Sequence, residues 1–540
     1  MALITPFKNT SVLILDDMAE ARTSLRALVG SLGCERVAVT GSVRDALEQL
    51  RNNSFELILA DYYLGGETDG QQFLEYLRTR RVIGRGVLFV MVTGEKGYES
   101  VVTAAECMPD DYLLKPFTGD VLKLRLERLL EKKQRLASVD KLQDKGDWGG
   151  VVRACDEIIA ARDRYQVDAM RIRGNALLAD GRVEEAAEFY RRMIEMRPLP
   201  WARLGLSRAL QLQGRADECK EALGSLIRES PQLLAAYDLL GKVHLAAGDA
   251  DAALGVLDSA CDISPNSLAR HRAVAAVAED KGDFRRVEAA LDKVVRRTRN
   301  TPLRETADIA RLGQAYTENG EPAKAVTLIE EACKNFKTDL GDPHLAAVEA
   351  MAHRKAGNRD RAEAALTRAL QGDTGHLPPG AAMAVATACL GAGRQDAAHG
   401  ILKTLVQTHP EASMLHDRVS SVLREHGGGT AADSLVAESI REIIQLNNDA
   451  VMKAKAGELA LAAEMLTSAA RRLPGNVQIV ANAAAALLFD VLGNGLDAAK
   501  LQQAQAFQKA VQAREPAHPK LAEIAQLVAQ IRGKYAATAK

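Results

Sequence analysis

At 540 residues the chain is too long for one hydrophobic core, so several units are expected. Its 47% hydrophobic and only 4% aromatic residues argue against β-sandwiches and for many closely packed helices. A formal net charge of −1 is far from the basic excess of a dedicated nucleic-acid binder, so no nucleic-acid partner is expected.

The first stretch, MALITPFKNTSVLILDD, has a short apolar run ending in two acids and reads as neither signal peptide nor anchor. From there short apolar runs alternate with amphipathic segments. The runs VLILD (12–16), RVAVT (36–40), ELILA (56–60), VLFVMV (87–92) and YLLK (112–115) read as strands buried on both faces. Helical patterns lie near 19–32, 42–53, 69–80 and 97–107, with another from 118. Five strands alternating with helices predict an α/β doubly wound parallel sheet, whose ligands bind at the carboxyl ends of its strands.

Asp16 and Asp17 end the first run, Asp61 follows the third, Thr93 ends the fourth and Lys115 the fifth. In a parallel sheet these positions share one edge. Three clustered carboxylates repel one another unless a cation sits among them, and hard oxygen ligands of this number favour Mg²⁺. Asp61 could then attack a phosphoryl group, with Lys115 and Thr93 neutralising its oxygens.

The stretches LILDD (13–17), LILADYYL (57–64), VMVTG (90–94) and DDYLLKPF (110–117) resemble the flavodoxin-like receiver domain of bacterial two-component response regulators. The resemblance implies that Asp61 is the phosphoacceptor and that Asp16, Asp17, Asp61 and the backbone carbonyl of Tyr63 hold Mg²⁺. It implies that Thr93 and Lys115 contact the phosphoryl group, that Thr93 and Tyr112 form the switch, and that the Lys115–Pro116 bond is a cis candidate. It departs from the pattern in LGGETDG (64–70), which lacks the usual proline and is one residue longer.

After about residue 130 the strand pattern gives way to helix, short Gly-containing turn, helix, with self-similarity near 34 residues. One unit carries Gly174, Leu177, Ala186, Tyr190 and Pro198; another Tyr237, Gly241, Ala253, Leu257 and Pro265; a third Leu312, Gly313, Ala325 and Ile329. Small residues let two helices approach, large ones fill the gap to the next unit, and Pro stops the second helix. The turns ADGR, AAGD, DKGD, KAGN and GAGR supply Gly for the reversal, and the period is least regular near 268–302 and 411–447.

This half resembles the tetratricopeptide repeat family. The expected division is a receiver at 1–128 and an all-α superhelix of about ten helix pairs at 129–540. The segment 121–143 has apolar residues at helical spacing and no Gly or Pro, so the receiver's last helix is expected to run on toward the repeats. By resemblance, Arg171, Asn175, Arg208, Asp238, Lys242 and Gln314 are partner-groove candidates.

The seven cysteines are scattered and read as buried thiols of a cytoplasmic protein. All ten histidines follow residue 243, so none joins the acidic pocket. No membrane span, enzyme motif or nucleotide-cradling loop is visible. The expected function is a response regulator whose phosphorylation gates protein binding by the repeats. The expected partners are a sensor histidine kinase or phosphotransfer protein, an unknown protein on the groove and, through the receiver, a second copy. An atypical transcriptional regulator and a constitutive adaptor recruiting an enzyme in trans are the alternatives.

Overall fold

The computed structural model describes residues 7–536, apart from 66–67, 95–108, 300, 336–340, 373, 428, 430 and 516–517. Its contacts divide the chain into two compact units, one of Met1–Lys281 with Ala289–Glu305, the other of Gly282–Glu288 with Thr306–Lys540.

The first unit begins with the strands β1 (Ser11–Leu15), β2 (Arg36–Thr40), β3 (Leu57–Asp61), β4 (Leu88–Thr93) and β5 (Asp111–Leu114). They form one parallel sheet in the order β2-β1-β3-β4-β5. Because side chains alternate along a strand, each central strand feeds two cores. Val12, Ile14, Leu57, Leu59, Val90 and Val92 pack beneath α1 (Ala19–Ser31) and the first half of the helix Gly119–Lys145. Leu13, Leu15, Ile58, Ala60, Phe89 and Met91 pack beneath α2 (Val43–Asn52) and α3 (Gly70–Thr79). This is the expected doubly wound α/β arrangement. The helix expected near 97–107 lies outside the described residues.

Helix α4 (Gly119–Lys145) is one uninterrupted element of 27 residues, as its composition predicts. Leu122, Leu126, Leu129 and Leu130 belong to the sheet's core, while Leu136 and Val139 belong to the next core, with Val151, Val152 and Cys155. Thr118 caps its start and Gly146, at φ 71°, ends it.

Only helices follow among the described residues, from α5 (Trp148–Ala160), α6 (Gln166–Ala179), α7 (Val183–Met196), α8 (Pro200–Leu212) and α9 (Ala216–Glu229) to α10 (Leu234–Ala246), α11 (Ala250–Ile263) and α12 (Leu268–Asp280). The second unit continues in the same grammar to Lys520–Ala536. In each expected turn a glycine takes a left-handed conformation, as at Gly181 (φ 76°), Gly248 (φ 77°), Gly357 (φ 81°) and Gly393 (φ 76°). Pro198, Pro265, Pro410 and Pro474 each stand two residues beyond a helix.

The pairing has a recurrent cause. A Cβ on Gly174 would stand 2.5 Å from the Tyr190 ring, one on Gly241 would stand 3.3 Å from Leu257, and one on Gly313 3.4 Å from Ile329. In each case the glycine on one helix receives the large side chain sixteen positions later on the next. The irregularity near 411–447 is a matter of length: Ser413–Glu425 is followed by Ala431–Lys455, 25 residues long.

One helix among the described residues, Val477–Asn494, is long and apolar enough to cross a membrane, but it packs between Leu459–Arg472 and Ala498–Arg514 with 56% of it buried. That is the setting of a core helix.

Candidate functional site

Asp16 and Asp17 directly follow β1, and Asp61 closes β3. Adjacent parallel strands bring them together, and ligand oxygens of all three lie within 4.8 Å of one another. Asp16 is fully buried, Asp61 nearly so, and Asp17 exposed. The backbone of Met18 donates to Asp16 Oδ1 at 2.9 Å. The Arg22 guanidinium, one turn into α1, donates to the main-chain carbonyls of Asp16 and Asp17 at 2.8 Å each. Arg22 was not foreseen; the only available signal was a cation one turn beyond the acidic pair.

Lys115 enters from the end of β5. Its Nζ lies 2.8 Å from Asp16 Oδ2 and 2.7 Å from Asp61 Oδ2. Two carboxylates thus share one ammonium. Burial pushes the Asp61 carboxyl above its usual range; Lys115 pulls it back in part and Asp16 pushes it up again. Burial alone would lower the Lys115 ammonium, but the bonds to Asp16 and Asp61 outweigh it and raise it. A cluster of three carboxylates against one ammonium, with two uncompensated negative charges, three hard oxygen donors and an open side at Asp17, suits a small divalent cation. Receiver domains bind Mg²⁺ at such an acidic cluster.

Thr93 is buried at the end of β4, one residue past Val92, the register partner of Asp61, and its carbonyl accepts from the Lys115 backbone at 2.7 Å. The Lys115–Pro116 peptide is cis. Tyr112 is half-buried against the core of Phe89 and Met91. Tyr63 is exposed and meets the buried Tyr62 ring edge-on at 5.0 Å.

Gly65 and Gly70, on either side of residues 66–67, are tightly placed. Gly65, at φ 64°, lies where a Cβ would stand 2.5 Å from Asp17 Oδ2, and a Cβ on Gly70 would run into the carbonyl of Asp61. Tyr63 and Asp69 form an antiparallel bridge, and Asp69 caps α3 in a reciprocal box with Gln72.

The groove candidates separate into three cases. Arg171 and Asn175 are exposed on α6 and Arg208 is half-exposed on α8. All three surround the Tyr190 hydroxyl, which donates to Asn175 Oδ1 at 3.2 Å. Asp238 and Lys242 lie on α10; Asp238 is held by the Arg270 guanidinium at 2.9 and 2.8 Å. Gln314 is a correction: it is buried, at 7% exposure, so it offers no partner surface. It adjoins Gly313, whose missing side chain lets Ile329 and Val348 close in.

A second group was missed altogether. Gln72 Nε2 donates to the Asn266 carbonyl at 2.9 Å, and Asn266 Nδ2 approaches Tyr62 Oη and Asp69 Oδ2 at 3.4 Å each. These residues lie some 200 positions apart, and no local pattern marks them.

Both halves of the chain resemble known proteins. The response regulator receiver domain family matches residues 12–127. Tetratricopeptide repeat families match 144–199, 177–243 and 348–413. Chemotaxis protein CheY-3 of Vibrio cholerae is 27% identical over 125 residues, covering 23% of this chain and 95% of the relative. Chemotaxis protein CheY of Pseudomonas aeruginosa is 29% identical over 121 residues, covering 22% and 96%. Among solved structures, the receiver domain of the Francisella response regulator 1452 is 23% identical with a TM-score of 0.21, covering 23% of this chain and 98% of that one. A tetratricopeptide repeat protein from Parabacteroides merdae is 13% identical with a TM-score of 0.29, covering 47% and 97%. This chain therefore carries a response regulator receiver domain of two-component signalling at its N-terminus and tetratricopeptide repeats, modules of protein–protein interaction, in its C-terminal region.

Proposed function

We propose that Asp61 accepts a phosphoryl group and that its state gates the binding of a protein by the repeats. The observation that carries this reading is the convergence of Asp16, Asp17, Asp61 and Lys115 at one sheet edge, with Asp61 Oδ2 held 2.7 Å from the Lys115 ammonium. An Asp61 oxygen attacks the donor's phosphorus, the donor's P–N or P–O bond breaks, and the leaving group keeps the electron pair and takes up a proton. Asp16, Asp17, Asp61 and the Tyr63 carbonyl would hold Mg²⁺, which would offset the charge gathered there. Lys115 and Thr93 contact the phosphoryl oxygens. Thr93 and Tyr112 are the switch pair, Thr93 buried beside the site and Tyr112 half-buried on the neighbouring strand.

The donor is a sensor histidine kinase or a phosphotransfer protein. Arg171, Asn175 and Arg208 supply the groove on which an outside protein binds; a second copy meeting through the receiver is the competing use of the switched surface. The near-neutral charge favours a protein over nucleic acid as partner. The free cysteines favour a reducing compartment, the cytoplasm. Neither half needs to turn over a substrate for this role. The division of labour falls near residue 128, although α4 runs through it.

The test is labelling. Purified protein with Mg²⁺ and a small phosphodonor gains one phosphoryl group, and Asp61→Asn, with unchanged circular dichroism, gains none. Label persisting in that variant would overturn the assignment.

A further inference from the structure

We propose that the face made by α10 and α12 is the docking surface of the receiver's own helix α3, and that this contact is a latch through which the state of Asp61 reaches the repeats. The proposal rests on Asp61 being the phosphoacceptor, and adds the intramolecular partner and the route.

The contact has the form of a helix laid on a surface. Gln71, Glu75 and Thr79 recur every fourth residue, so they form one stripe of α3. That stripe lines a cleft of about 410 Å³ with Asp238, Lys242 and Arg270. Two of those three had been expected to face an outside partner. The charges alternate across it: Glu75 faces Arg270 and Arg272, and Arg270 is clamped by Asp238. The Glu75 carboxylate also lies beside the backbone N–H of Ala269 in the first turn of α12, where a negative charge is favoured. At the far end of α3, Arg80 pairs with Glu305 at 2.9 Å. At its near end Gln72, Tyr62 and Asp69 meet Asn266.

The near end adjoins the phosphoacceptor. Tyr62 is the next residue after Asp61, and its hydroxyl donates to Asp69 Oδ2 at 2.9 Å. Gly70 lies against the Asp61 carbonyl and Gly65 against Asp17, each with no room for a methyl group. Contacts as close as those at Gly65 and Gly70 pass a displacement on instead of absorbing it. Phosphorylation adds a bulky group and raises the negative charge at Asp61 by about one. The two bonds from Asn266 Nδ2 are long, at 3.4 Å, so a small shift of the loop breaks them. The direction is therefore release: the phosphorylated receiver lets go of the α10–α12 face, which becomes available to another protein.

Hydrogen exchange on the full chain tests this in two arms. In the first, Asn266→Ala and, separately, Glu75→Lys, which sets a like charge against Arg270 and Arg272, raise exchange roughly fivefold in both 70–79 and 266–280, the loss expected for a weakened contact, while β1 and β3 keep their protection. In the second, Mg²⁺ with beryllofluoride does the same to the parental chain and not to Asp61→Asn. Repeat-side substitution that leaves 70–79 unchanged overturns the contact. Beryllofluoride that protects the amides beside Asp61 but leaves 266–280 unchanged, or protects it further, overturns the latch. Failure of beryllofluoride to bind at all overturns the phosphoacceptor reading, and the first arm still decides the contact.

Discussion

Lys115 stands 2.7 Å from Asp61 and binds Asp16 with the same nitrogen, so one side chain from β5 ties together the ends of β1 and β3. Lys115→Met leaves two buried carboxylates without their cation. In metal-free buffer the receiver is expected to lose about 2 kcal/mol, read from denaturant dependence of exchange in β1 and β3. Millimolar Mg²⁺ is expected to recover most of that loss. A variant as stable as the parent without metal would show that the ion pair contributes nothing.

Gly65 is held at φ 64° with Asp17 Oδ2 where a Cβ would go. Gly65→Ala is expected to weaken Mg²⁺-dependent phosphorylation roughly tenfold by re-aiming Asp17. Gly84→Ala, which meets nothing within 4 Å, serves as the control and leaves the Mg²⁺ dependence unchanged. Titrating the labelling rate against Mg²⁺ separates the two.

Gly174 receives the Tyr190 ring, whereas a Cβ on Gly255 in α11 would meet nothing within 4 Å. Gly174→Ala is expected to cost about 2 kcal/mol through overpacking, seen as faster exchange in 166–196. Gly255→Ala is expected to stabilise its helix by about 1 kcal/mol. Equal effects would mean that the glycines mark turns and composition, not helix approach.

Burial lifts the Glu75 carboxyl above the ordinary range, Arg270 and Arg272 offset part of this, and Asp69 adds to it. The docked state therefore holds the Glu75 proton more tightly than a released, solvated one. Between the ordinary and the raised value the docked form binds more protons. The contact is thus strongest below that window and weakens as pH rises through it. Exchange in 70–79, normalised to the intrinsic amide rate, is expected to rise with pH across the window in the parental chain and to stay flat in Glu75→Gln.

How much of this was legible beforehand depends on the range of the interactions. The strands and the pocket were, because a buried parallel strand writes a continuous apolar run and its end places Asp16, Asp61 or Thr93 at a known edge. Gly181 and Gly248 were equally visible, since a left-handed turn is a local demand. Gln314 was misplaced because helical period tells which face a residue occupies but not how closely the neighbouring helix approaches it. The bond from Gln72 to Asn266 spans 194 positions and leaves no periodic trace in either segment. Contacts that depend on how separate elements meet are written only in three dimensions.

Helix α4 carries leucines of two cores on one unbroken rod of 27 residues, about 40 Å long. The two modules therefore cannot be excised at residue 128 without cost. A receiver ended there loses Leu129 and Leu130 from its own floor, and repeats begun there carry a loose helical overhang with those same leucines bared to water. Melting either module frays a helix that the other needs, so the two are expected to unfold as one cooperative block. In such a chain a mutation in the repeats can silence the receiver without touching a residue of its pocket.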